Sequence, residues 1–204
     1  EGKDYRCAQA AEEVLVALFM SHKEGILATI SATFQQASGA HDGSNQVAAA
    51  AQKDAAIQAL RLGVKGLDMD VVDGAALYRD GLAQEFQVPG SHFGGAQAVV
   101  QHRILRFLAA VFPYTAQKEA VCTALVEQCG ASNALVRLAA AVGLCELVDC
   151  MVEDKSLFHA SMEAQAVPVL LGLLTAHPED PPRIQDMLLG ALVSLIRFWR
   201  RHCG

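Results

Sequence analysis

The sequence predicts an all-α protein, an α-solenoid of stacked antiparallel helical hairpins, and three observations carry that expectation. Apolar residues recur at helical spacing along almost the whole chain. Much of the apolar content is Ala, Leu and Val and only 6% of residues are aromatic, a mixture that suits close helix packing better than a pleated sheet. No run of alternating apolar and polar residues is long enough to argue for a strand. With 204 residues, 52% hydrophobic and 19% charged, the chain is large enough to bury a core and too apolar for a disordered tail.

The elements follow in order. Val14, Leu15, Leu18 and Phe19 form one stripe, and Ile26, Leu27, Ile30 and Phe34 form a second; each predicts an amphipathic helix. Between them Ser21 and Glu24 have the spacing of a capping box, so the two helices are expected to lie antiparallel across a tight turn. Ser38 to Asn45 is polar and Gly-rich and predicts a loop, after which Gln46 to Gly66 resumes a small-residue helix. Asp68, Asp70 and Asp73 precede a helix to about Gln87, and Val88 to Gly95 makes a second Gly-rich connection. Gln97 to Phe112 is apolar on one side and is ended by Pro113. Helices are then expected over Ala116 to Cys129, Ala134 to Cys150, Ser161 to Ala176 and Arg183 to His202, separated by a Gly130-to-Asn133 turn, a loop, and a Pro-rich loop. That makes about nine helices with a pairwise period of about 40 residues, the pattern of HEAT or armadillo arrays. Residues 1–204 are thus expected to form a single solenoid of about four to five repeats, with Gly-rich loops near 38–45 and 88–95.

Charge and motif content narrow the function. A net charge of −6 gives little support to a nucleic-acid surface, which needs clustered Lys and Arg; basic protein segments are the more natural partners. The one basic cluster, Arg197, Arg200, Arg201 and His202, ends an apolar helix, where cations complement the dipole. Six cysteines, at 7, 122, 129, 145, 150 and 203, show no C-x-x-C spacing and predict reduced, buried thiols in an intracellular compartment. Cys122 and Cys129 share a helix face but lie about 10 Å apart along it, too far for a disulfide. The longest apolar stretch, Ala166 to Ala176, is too short for a bilayer and contains Pro168, so no membrane insertion is expected. The chain begins at Glu1 without a signal pattern and reads as a piece of something longer.

Asp68, Asp70 and Asp73 invite a metal reading, or a helical enzyme built on them, but their spacing fails the EF-hand rule, and an exposed turn with Asp73 capping a helix is preferred. The seven histidines show no metal-ligand pairing, and hydrolase, phosphate-loop and dinucleotide motifs are missing. The expectation is therefore a non-enzymatic protein with no catalytic, metal or cofactor-binding residues. Val167 to Leu174 reads as a solenoid core helix. Phe198 and Trp199 read as contacts for a further repeat, and Val14 to Phe19 and Leu188 to Trp199 are expected to expose apolar surface.

Ser132 to Ala140 matches the HEAT signature of a turn-capping polar residue, then Val-Arg, then a small residue. Val136, Ala140 and Leu144 fall on one helix face, whereas Arg137 is expected off the buried stripe, bonded to an acidic or carbonyl group of the adjoining repeat. Three ordered blocks then resemble the importin-β (karyopherin) family, its importin eleven branch in particular, over roughly residues 50 to 160. They are Lys53 to Leu60 with Leu67, Val72-Asp73 and Leu82 to Gln87; Gln101 to Leu108; and Leu135 to Ala140 through Leu147-Val-Asp149 and Phe158. The resemblance implies a central piece of a nuclear transport receptor, moving between cytoplasm and nucleus. It also implies protein cargo, nucleoporins and, through the full-length protein, the Ran GTPase as partners. Cargo-contacting residues stay unassigned. The alternative is a HEAT or armadillo scaffold that assembles a multiprotein complex without any part in transport.

Overall fold

The computed structural model describes residues 2–39, 46–63, 79, 81–87, 94–157 and 159–202. These form seven α-helices and two short 3₁₀ segments, with no strand among the described residues. They fall into two units, Glu1–Val111 and Phe112–Gly204, each taken by itself below.

In the first unit α1 spans Gly2–Gly39 and α2 Gln46–Gly63; a 3₁₀ segment, Leu82–Phe86, precedes α3, Gly94–Val111. The capped turn expected at Ser21 to Glu24 does not form. Instead α1 is interrupted at one residue, His22, whose backbone is non-helical (φ −138°, ψ 39°). Ser21 Oγ donates to the carbonyl of Ala17 at 2.7 Å, and Thr29 and Thr33 likewise donate to carbonyls four residues back. The hydroxyl expected to cap a new helix is thus satisfied within the old one.

Helix α2 packs against both α1 and α3. Gly63 permits the approach of α1: a Cβ there would come within 2.6–2.8 Å of the Phe19 ring, which is fully buried. Phe19 and Ile30 of the two predicted stripes turn inward, whereas Val14 and Leu18 are exposed. Residues 40–45, 64–78 and 88–93 lie outside the described residues, and with them most of both Gly-rich connections and the whole Asp68-Asp70-Asp73 group. Leu82–Phe86, expected to be α-helical, is wound as 3₁₀.

By length and composition one described helix, Gln9–Ser38, could cross a bilayer, a segment longer than the 166–176 run singled out above. Lys23 and Glu24 fall at its middle, however, where each charge costs about 2.5–3.5 kcal/mol at the centre of a bilayer. Only 6% of its apolar window is buried; Phe19, Ile30 and Ala37 turn inward, and α1 packs on α2.

The second unit contains α4 (Lys118–Gln128), α5 (Ala134–Glu153), a 3₁₀ segment (Lys155–Leu157), α6 (Ala160–Ala176) and α7 (Pro182–His202). Asn133 starts α5: its backbone is extended and its side-chain oxygen accepts from the amides of Leu135 (3.0 Å) and Val136 (3.4 Å), filling two of the orphan donors of the first turn. Helix α5 is apolar nearly all round and is the unit's most buried element, as a helix packed on several sides must be.

Helix α4 packs on α5 and α6, α5 packs on α7, and α6 packs on α7. Glu119 of α4 accepts from Ser161 of α6, and one turn on Thr123 donates to Gln165 at 3.0 Å. Both pairs are 42 residues apart, so α4 and α6 run parallel and in step. Pro168 removes the donor for the Ala164 carbonyl, but it sits on the exposed side of α6, where water reaches the freed oxygen. In α7, Leu188, Ala191, Leu195 and Phe198 are buried at helical spacing. Phe198 therefore belongs to this unit's own core rather than awaiting a further repeat, and Trp199 is half-buried.

Candidate functional site

The residues picked out by the HEAT signature divide by position. Val136, Ala140 and Leu144 line the buried face of α5, each 2% exposed or less. Arg137, expected beside that face, is itself buried. One reason is its acidic partner: Arg137 Nη2 donates to Asp180 Oδ1 at 3.0 Å, and Asp180, in the loop before α7, is buried as well. The pair joins the first turn of α5 to the loop that leads into α7. Arg137 Nε has no hydrogen-bond partner, so the pair is incompletely satisfied and is weak evidence of net stability. Asp149, at the other end of α5, is exposed. Loss of hydration against the helix, then the like charges of Glu153 and Glu146, hold its carboxyl above the usual range.

A second polar assembly lies in the first unit, and the sequence did not single it out as a site. Glu85, in the 3₁₀ segment, is buried. Its carboxylate accepts from Lys53 Nζ at 2.7 Å and from Gln97 Nε2 at 3.0 Å, while its backbone carbonyl accepts from Gln97 (2.8 Å) and Gln101 (2.9 Å). Lys53 Nζ also stands 5.5 Å from the centre of the Phe34 ring. Alongside, Arg103 of α3 holds both carboxylate oxygens of Asp54 (2.7 and 3.3 Å) and the Gln58 oxygen (2.8 Å) of α2. Lys53, Asp54, Glu85, Gln101 and Arg103 all fall in the blocks that resemble the karyopherin family. The readable signal was Asp54 and Gln58, polar residues one turn apart on a small-residue helix. Neighbouring His102 is pushed below the usual imidazole range, first by burial and then by Arg103 and Arg106.

Three thiols occupy the second unit's interior. Burial pushes Cys122 up to about 11 and Cys129 and Cys145 up to about 12, so they are protonated and unreactive at neutral pH. Cys122 and Cys129 share one buried face of α4 and its end. Among the described residues no three His, Cys, Asp or Glu side chains converge to hold a metal ion. Exposed large apolar residues include Val14, Leu18 and Met20 on α1, and Leu189, Val193 and Ile196 on α7. Of the two spans expected to show apolar surface, Val14 and Leu18 and then Leu189, Val193 and Ile196 do so, whereas Phe19, Leu188, Leu195 and Phe198 turn inward.

Comparison with known proteins finds no matching family model, curated protein or solved structure.

Proposed function

We propose that this chain is a protein-binding scaffold built from HEAT-type helical hairpins and carrying no chemistry of its own. The observation that supports the reading is the parallel, in-step packing of α4 on α6 at a 42-residue offset, with α5 on α7 beside it. In an up-and-down bundle sequential helices alternate in direction around one core. Stacked hairpins instead set each first helix beside the next first helix, and each second beside the next second. The Arg137–Asp180 pair, joining successive second helices, fits the same arrangement. Such stacks bind other polypeptides over broad surfaces, by shape and distributed charge.

The three sequence blocks extend this reading to an importin-β-like transport receptor with cargo, nucleoporin and Ran partners, working between cytoplasm and nucleus. A scaffold outside transport is the second reading, favoured by packing that serves either role. A pull-down separates them. The chain, and a longer polypeptide containing it, are offered RanGTP, nucleoporin repeats and basic peptides at low and high salt. We expect basic segments to bind and to be released as salt screens the acidic surface, and RanGTP to be held tightly only by the longer polypeptide. If neither retains RanGTP or nucleoporin repeats, the transport reading fails; if neither retains any polypeptide, the scaffold reading fails with it.

A further inference from the structure

Helix α7 is apolar on two faces, and only one of them is used by the unit's core. Opposite the buried row, Asp186, Leu189, Val193, Ile196 and Arg200 are all exposed. They follow one another at spacings of three, four, three and four residues, the seam spacing of helices that pair along their length. The three apolar members are 51%, 42% and 51% exposed. Scattered exposed apolar residues are ordinary, whereas an uninterrupted row at seam spacing asks for a partner. Gly190 lies next to Val193 on the same side, and nothing in the chain comes within 4 Å of where its Cβ would be. Packing within the chain therefore does not require a glycine there, although glycine weakens a helix interior. An approaching helix would benefit from the notch.

The charges at the two ends of the row select the occupant. We propose that a second copy of this chain docks on this face, the two α7 helices running antiparallel about a two-fold axis at Val193. Asp186 and Arg200 each lie seven residues from Val193, about 10 Å along the helix. The two-fold therefore brings Asp186 level with the partner's Arg200, twice over. Leu189 comes level with the partner's Ile196 and Arg197, and the two Val193 side chains meet at the axis. A parallel pair would instead set Arg200 against Arg200 and Asp186 against Asp186. Arg197 and its symmetry mate are separated by about 12 Å along the axis, beyond the Debye length of about 8 Å at physiological salt. One surface meets itself, the closed arrangement most common among soluble oligomers. With three apolar residues per copy the interface belongs to the small, transient class. The inference stands apart from the scaffold reading, since it uses only the exposed face of α7.

Sedimentation equilibrium between about 10 µM and about 1 mM tests it. The chain should show a monomer–dimer equilibrium, and Val193→Glu should raise the dissociation constant by about tenfold or more. Asp186→Arg and Arg200→Asp, each at an exposed position, should each weaken the dimer by about tenfold. The double variant Asp186→Arg/Arg200→Asp should restore it, because the swapped pairs attract again in the antiparallel register only. Circular dichroism checks that each variant stays helical. A chain that is monomeric at the highest concentration overturns the proposal and leaves the face to another polypeptide. A dimer indifferent to Val193→Glu uses another surface, and failure of the double variant to recover overturns the antiparallel register.

Discussion

The two units are held together by different means. In the first, polar side chains far apart in sequence lock a 3₁₀ segment and α3 onto α2: Glu85 takes Lys53 and Gln97, and Arg103 takes Asp54 and Gln58. In the second, apolar and small side chains fill the space between helices, with the Arg137–Asp180 pair as its one buried ion pair among the described residues. Polar networks fix position and direction, because an unmatched buried group is costly. Apolar packing fixes volume, and it tolerates neither a void nor a charge. The first unit should therefore fail when a partner is deleted, and the second when something charged is put inside.

High pH is the harshest way to put charge inside, and it should separate the units most widely. The folded pKa of Cys122 is raised to about 11 and those of Cys129 and Cys145 to about 12, from an ordinary value of 9.0. Above pH 9 the unfolded chain releases these protons while the folded chain keeps them. The unfolded state then binds fewer protons, so stability is intact below pH 9 and falls as pH climbs toward 12. Each unit of displacement is worth about 1.4 kcal/mol, so three thiols together reach the order of a small domain's whole margin of about 5–15 kcal/mol. Hydrogen exchange from pH 7 to pH 11 should show the second unit opening first. A Cys122→Ala/Cys129→Ala/Cys145→Ala variant should lose most of that alkaline sensitivity even if it is less stable at pH 7. Equal alkaline opening of the two units would erase this difference between them.

Val136→Asp is the next largest effect. Val136 is 2% exposed on the packed face of α5, and an unpaired carboxylate there should cost about 3–5 kcal/mol. Denaturant unfolding read by exchange over 134–153 measures it, with α2 and α3 as the internal control. Unchanged protection in α5 would mean that its Val136 face is not a seam.

Glu85→Ala probes the first unit by the opposite operation. It leaves Lys53, whose side chain is 13% exposed, without its carboxylate, and should cost about 3 kcal/mol. Glu85→Gln should cost less, since its amide oxygen can still accept from Lys53. The apolar double replacement Lys53→Met/Glu85→Leu should come close to neutral in stability while loosening the placement of the 3₁₀ segment, seen as lost exchange protection over 82–87. Should the double variant keep that protection, the network adds nothing to position.

The same contrast explains what could be read from sequence. In the second unit the limits of α4 to α7 fall within three residues of expectation, because local signals set them: Asn133 as cap, Pro182 at a first turn, apolar residues at helical period. The Glu85 assembly was not legible, since its partners lie 32 and 12 residues away and those of Arg103 lie 49 and 45 away. Periodicity says nothing about such pairings. Ser21 misled because a serine one turn after Ala17 serves a carbonyl behind it as readily as an amide ahead. Arg137 was expected off the stripe of Val136, Ala140 and Leu144 with an acidic or carbonyl partner; the acidic partner is Asp180, 43 residues on, and pairing with it goes with the burial of Arg137.

The smallest expected effect tests whether α5 needs its local signal at all. Gln117 and His159, at the same position in α4 and α6, make no side-chain cap, so those helices begin without one. Asn133 does cap, bonding the amides of Leu135 and Val136. Asn133→Ala should cost about 1 kcal/mol, and Asn133→Gly only a few tenths. For a domain of about 100 residues, 1 kcal/mol lowers the melting temperature by about 4–8 °C, well within reach of calorimetry. Asn133→Asp should restore the wild-type value, because a carboxylate accepts the same amides and favours the positive end of the helix. If all three variants melt with wild type, then the burial of Val136, Ala140 and Leu144 alone fixes where α5 begins, and the second unit owes even its helix ends to packing.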